Sequence, residues 1–205
     1  MRTSKRTLLA LASLALLPLA ACKDSSGPGR NLVGEVHFTY SGAVSGAFEA
    51  EGKVTAANSE SGTFAFAELA EDPQGGDALV LYSQAGRSGN NKYDALLVVL
   101  EDPAKGTVTC TESNADCAFL SAFVLGQDDT SAEDADALFF GTSGQLTITH
   151  LDDERVRGTF TFSMSGFVGV DEDAEVEVQS GTFDLPLLEE GDVPFSQAAF
   201  GVLQR

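Results

Sequence analysis

The chain has 205 residues, enough for one domain with a sizeable core. Its 31 acidic residues outnumber 12 basic ones, and the formal charge of −19 repels phosphate backbones, so nucleic acid is not an expected partner. Two histidines and three cysteines, widely scattered, do not make the ligand cluster that a catalytic zinc ion requires.

Arg2, Lys5 and Arg6 open the chain, and residues 8–21 are apolar apart from Ser13 and Pro18. Such a run has the length of a signal-peptide h-region and falls short of the roughly 20 residues of a membrane-spanning helix. It ends on Leu19-Ala20-Ala21-Cys22. This stretch resembles the lipobox of bacterial lipoproteins. The resemblance implies cleavage before Cys22, a diacylglycerol on its sulfur and an acylated amine, and hence export with a membrane attachment at Cys22. Each buried CH₂ contributes ~0.8 kcal/mol, so two or three acyl chains hold durably where one does not. Lys23 stands where an Asp favours inner-membrane retention, so the resemblance implies the outer membrane. Residues 23–30 are polar, with Gly27, Pro28 and Gly29, and read as a tether reaching at most ~28 Å. The expected organisation is a lipoprotein signal peptide at 1–21, the lipidated cysteine and tether at 22–31, and an all-β extracytoplasmic domain at 32–205.

The leader takes three cations and no acid with it, so the mature chain carries −22. An anionic membrane surface repels such a domain and leaves the lipid as the attachment; solubility at a crowded surface is the plain meaning of the charge. Cys110 and Cys117 remain, and with export implied a disulfide is expected. Their spacing matches neither a Cys-x-x-Cys redox motif nor common zinc spacings.

The mature chain reads as strands. Val36, Phe38 and Tyr40 alternate with Glu35, His37 and Thr39, the period of a half-buried strand. Residues 44–55 continue extended around Phe48, and residues 62–69 carry Phe64 and Phe66. Asp72-Pro73-Gln74-Gly75-Gly76 is a turn. Residues 78–82 and 95–100 are short apolar runs without alternation, which suits central strands covered on both faces. Residues 106–110 and 117–125 flank the clipped loop. Residues 127–136 form an acidic loop with room for one helical turn. Strands follow at 138–140 and 145–151.

Asp152-Asp153 turns the chain into the clearest strand, where Val156, Gly158, Phe160, Phe162 and Met164 share one face. Arg155, Arg157, Thr159, Thr161 and Ser163 share the other. Asp171-Glu172-Asp173 reads as a second acidic turn. The inward set then changes parity between Val178 and Phe183, which an extra residue near Ser180-Gly181 would repair. Gly-Thr-Phe or Gly-Ala-Phe occurs at 46–48, 62–64, 158–160 and 181–183, with the glycine expected to make room and the Phe to fill the core. The tail from residue 193 is a last strand or a short docking helix. Many short strands and no long amphipathic helix predict a single antiparallel β-sandwich or barrel-like domain.

Chemistry is hard to find in this sequence. His37 lies on the polar parity of its strand; His150 shares parity with Leu146 and Ile148 but sits beside a turn. No Gly-x-Ser-x-Gly elbow or phosphate-cradling loop is present. Absence of Trp and only three Tyr argues against stacking on sugars. The acidic loops offer Asp128, Asp129, Asp134 and Asp136, and Asp171 and Asp173, as calcium candidates, but neither loop follows the EF-hand order. The reading is therefore of a non-enzymatic envelope lipoprotein with no cofactor and no metal, contacting an envelope protein or serving a structural role. The alternative is a carrier whose 14 Phe line a barrel for a small apolar ligand; a hydrolase comes third.

Overall fold

The computed structural model describes residues 31–55, 62–71, 76–89, 91–112, 117–128 and 135–188. The leader, Cys22, the tether, most of the turn at 72–76 and the tail lie outside them. The chain divides into residues 1–30 and residues 31–205, and the strands belong to the second unit.

The described residues of this unit form ten strands: β1 (Gly34–Gly42), β2 (Gly46–Gly52), β3 (Phe64–Glu71), β4 (Asp77–Gly86), β5 (Tyr93–Glu101), β6 (Gly106–Cys110), β7 (Phe119–Gln127), β8 (Ala137–Leu151), β9 (Arg155–Val168) and β10 (Asp171–Leu188). The fold is all-β and antiparallel, except that Leu187 and Leu188 of β10 run parallel to Ala67 and Glu68 of β3. One layer has the order β2-β1-β10-β9-β8-β6, the other β3-β4-β5-β7. Two long strands join the layers. β10 pairs with β1 over residues 176–184 and with β3 at its end; β8 pairs with β7 over residues 137–140 and with β6 over residues 144–148. The hydrogen-bonded path β10-β3-β4-β5-β7-β8-β9 thus returns to β10, giving a flattened barrel with a sandwich-like interior. Closure removes most sheet edges.

Period-two alternation builds the inner faces. In β9, Val156, Phe160, Phe162 and Met164 are buried while Arg157, Thr159 and Thr161 are exposed, as the sequence predicts. Where β10 changes parity, its pairing with β9 jumps between Val178 and Gly181, and Ser180 takes a left-handed φ of 54°. That is the expected bulge. It lets Val176 and Val178 share the core with Phe183 and Leu185.

The Gly-Thr-Phe triplets acquire a specific meaning here. Gly158-Thr159-Phe160 and Gly181-Thr182-Phe183 lie opposite each other in reverse, so Gly158 faces Phe183 and Gly181 faces Phe160. A β-carbon on Gly181 would lie 2.5 and 2.6 Å from Cδ2 and Cζ of Phe160, and one on Gly158 would collide with the Phe183 ring and the Thr147 carbonyl oxygen. Each glycine leaves the space its cross-strand ring occupies. Gly46 faces Tyr40 in the same manner.

Phenyl rings fill the space between the layers. Phe38 stacks on Phe48 at 4.7 Å and meets Phe123 of the facing layer at 5.2 Å. Phe162 stacks on Phe160 at 5.0 Å and meets Phe119 at 5.4 Å. Such pairs add ~0.5–1.5 kcal/mol each beyond the area they bury. A second cluster of Phe64, Phe66 and Leu188, with Leu32, Val54 and Tyr82 against it, lies on the outer side of β3 and β4. Residues 78–81 of β4 are buried on both faces, as their unbroken apolar run predicts.

Several local expectations are corrected. Residues 138–140 and 145–151 belong to one strand; β8 runs through Gly144, whose φ of 154° and register shift after Gly141 bend it from one layer to the other. The second acidic turn is misplaced: the chain reverses at Gly169-Val170, and Asp171 to Asp173 already begin β10. The strand expected at 44–55 is confined to Gly46–Gly52.

Candidate functional site

The outer side of β6, β8, β9, β10 and β1 carries a polar lattice. Thr107, Thr147, Thr159 and Thr182 stand in one row across four strands, and His37 continues it on β1. The Thr107 and Thr147 hydroxyls are 2.9 Å apart. Neighbouring strands lie about 4.8 Å apart, so the row presents hydroxyls at that interval. Thr109, Gln145 and Thr161 form the next row. The bulge at Ser180 sinks a shallow hollow of about 240 Å³ into this face, lined by Thr147, Thr159, Thr161, Thr182, Gln145 and Ser180 among others. An adjoining hollow of about 460 Å³ is acidic, with Glu112, Glu175 and Glu177, and there Ser163 Oγ donates to Glu177 at 3.0 Å.

This face can offer many hydrogen bonds, and at Ser163 a carboxylate, that of Glu177, lies within hydrogen-bond reach of a hydroxyl. A Ser or Thr nucleophile needs a base within hydrogen-bond reach. His37 pairs in register with Thr182, but among the described residues no hydrogen bond joins them; its Nε2 lies 4.0 Å from Glu35. His150 has moved away from the parity of Leu146 and Ile148. The β8–β9 register slips between Ile148 and His150, so the imidazole turns outward and Leu151 packs on the core instead. The His150 Nε2 and Asp152 Oδ2 are 2.7 Å apart in an exposed turn. Asp152 also accepts the backbone N–H groups of Glu154 and Arg155, which hold its carboxyl below the usual carboxylate range. That arrangement shapes a turn.

At the end where β9 passes into β10, Asp136 bridges Lys92 Nζ at 2.7 Å and Arg87 Nη1 at 2.9 Å. Its pKa is lowered, first by the Lys92 hydrogen bond and then by Arg87. Arg87 also grips Asp94 at 2.7 Å, and Asp94 accepts the Gly126 N–H at 2.8 Å. This calcium candidate is thus occupied by cations of the chain itself. Asp129 and Asp134 lie outside the described residues. Asp171 accepts the Asp173 N–H at 3.3 Å, a local turn contact. Among the described residues no group of three potential ligands forms.

At the opposite end of the fourteen-residue β9, roughly 40 Å away by strand rise, the chain enters the domain. Arg155 donates to the carbonyls of Asn31 and Val33, each at 2.9 Å, and its Nε binds the Asp184 carboxylate. Arg157 holds the second oxygen of Asp184 at 2.9 Å. The entry point is therefore fastened to β9 and β10. No signal marked it in the sequence, because Arg155 and Arg157 alternate like any exposed pair. Cys110 and Cys117 are joined, with Cα atoms 5.2 Å apart, clipping the loop between β6 and β7. No family model, no curated protein and no solved structure matches this chain.

Proposed function

We propose that the protein is a lipid-anchored envelope protein whose β domain works by contact and not by catalysis, meeting an envelope protein partner through the hydroxyl-rich outer face of β6, β8, β9 and β10. One observation carries the choice of contact over carriage. Phe38, Phe48, Phe123, Phe160 and Phe162 touch one another across the interior, so the rings expected to line a ligand chamber fill it. The described hollows on the hydroxyl-rich layer are open to solvent, as befits contact with a surface. The anchor rests on Leu19-Ala20-Ala21-Cys22 alone.

Two measurements test this. Cells expressing Cys22→Ser should release the protein or leave it unprocessed, and it should take up no radioactive fatty acid; label on that variant refutes the anchor. Native mass spectrometry of protein purified from the envelope should give the bare chain plus lipid at Cys22. A stoichiometric apolar molecule released by solvent would restore the carrier.

A further inference from the structure

The outer side of the β3-β4-β5-β7 layer is largely apolar, with Glu68, Gln84 and Glu101 as the polar residues of its parity. Cross-strand register sets Phe66, Tyr82, Leu97, Ala122 and Phe140 in one row, and Glu68, Val80, Val99 and Leu120 in the next. These residues have the parity opposite to the inner core. Ala78, Val80, Ala95 and Ala122 belong to neither cluster of described residues, yet all four are buried. The burial is graded. Phe66 is 1% and Val80 4% exposed at the β3–β4 side, while Phe140 is 42% and Leu120 61% exposed at the β7–β8 side.

The gradient runs away from the side where Leu32, Val54 and Leu188, the end of β10, pack on the β3–β4 face. Leu188 packs on Phe64 and Phe66, and from it residues 189–205 continue. Those seventeen residues hold Phe195, Phe200, Val202 and Leu203, with Ala198 and Ala199. Crossing from β3 to β7 takes three strand spacings, about 15 Å, and seventeen residues exceed that even as a helix of about 25 Å. Other segments outside the described residues do not match. Residues 56–61, 72–75, 113–116 and 129–134 are short and polar, and on the proposed reading the leader is removed before Cys22.

We propose that the C-terminal segment 189–205 docks across the outer face of β3, β4, β5 and β7, led there by Leu188, and forms a third layer over the barrel. An uncovered face of this breadth would be an aggregation or partner surface; the segment makes it interior. The domain then meets its surroundings through the opposite, hydroxyl-rich side.

The test uses the full mature chain, residues 22–205, carrying the photo-crosslinker p-benzoylphenylalanine at Val99 or, in a second protein, at Leu120. Irradiated monomer should give crosslinks from position 99 to residues 189–205, and fewer from position 120. Phe200→Asp should abolish them and raise fluorescence of a surface-binding naphthalene dye several-fold. Crosslinks to a second copy, with a dimer in the ultracentrifuge, would overturn the proposal in favour of self-association. Absence of crosslinks to 189–205 in soluble monomer overturns it outright. A leader occupant is distinguished by repeating the irradiation on uncleaved chain: crosslinks to residues 1–21 there, with none to 189–205 in the mature chain, also overturn it. If Phe200→Asp is insoluble, the crosslinks of the unmutated tail decide alone.

Discussion

Replacing Gly181 by alanine tests the reciprocal fit of glycine and phenylalanine between β9 and β10. The added methyl would lie 2.5–2.6 Å from Phe160 ring carbons, whereas carbon atoms rest at ~3.5–4.0 Å. The ring must therefore yield by about 1 Å. It has little freedom to do so, since Phe38, Phe162 and Phe183 surround it at 5.7, 5.0 and 6.3 Å. Overpacking of this kind costs ~1–3 kcal/mol, and the lower entropy of the unfolded alanine chain returns ~0.4–1. A net loss of about 1–2 kcal/mol is expected from a domain stability of ~5–15. Phe160→Ala alone should cost ~3–5 kcal/mol.

The decisive protein carries both changes. With the ring gone the methyl has room, so the double variant should be more stable than the sum of the singles by ~1–2 kcal/mol. Gly158→Ala provides the contrast, because its methyl also strikes the Thr147 carbonyl oxygen, which Phe183→Ala leaves in place. Urea midpoints and m-values followed by circular dichroism measure the wild type, the four single variants and the two double variants. Additivity within ~0.5 kcal/mol for the Gly181–Phe160 pair would refute the reasoning.

Phe162→Ala should lower stability by ~3–5 kcal/mol and Thr161→Ala by no more than ~0.5, and equal losses would deny β9 a wet face. Among the described residues, the buried hydroxyls of Ser83 and Ser121 on the inner side of β4 and β7 have no hydrogen-bond partner. Ser121→Ala should therefore raise the urea midpoint by the equivalent of about 1 kcal/mol, and a fall would point to a hydrogen bond for Ser121. Asp136→Asn should lose up to ~1 kcal/mol at neutral pH, since its carboxylate is half exposed and its ion pairs are screened. The carboxyl pKa is lowered in the folded state, so this contribution is complete above the unfolded value of ~3.9 and disappears as pH falls through the folded one. A difference between wild type and Asp136→Asn that does not shrink as pH falls below ~3.9, or that resists 1 M salt, would refute that origin.

Much of this protein is legible in the order of its residues. Alternation along β9, the double-sided burial of β4, the all-β class, the Cys110–Cys117 bridge and the bulge at Ser180 all follow from neighbours in the chain, because period two and turn chemistry are local properties. The resemblance of Leu19-Ala20-Ala21-Cys22 to a lipobox is local in the same sense, and the proposed anchor at Cys22 rests on it. What only the tertiary structure decides is partnership. That β8 is one strand serving two layers, that Gly181 faces Phe160, that His150 swings outward, and that Asp136 is held by Lys92 and Arg87 all depend on register between segments far apart in sequence. A one-residue slip exchanges every side chain between core and solvent. Arg155 shows the limit most plainly: its place in the alternation is ordinary, and only the return of β10 beside the chain's entry point gives its guanidinium the carbonyls of Asn31 and Val33 to hold.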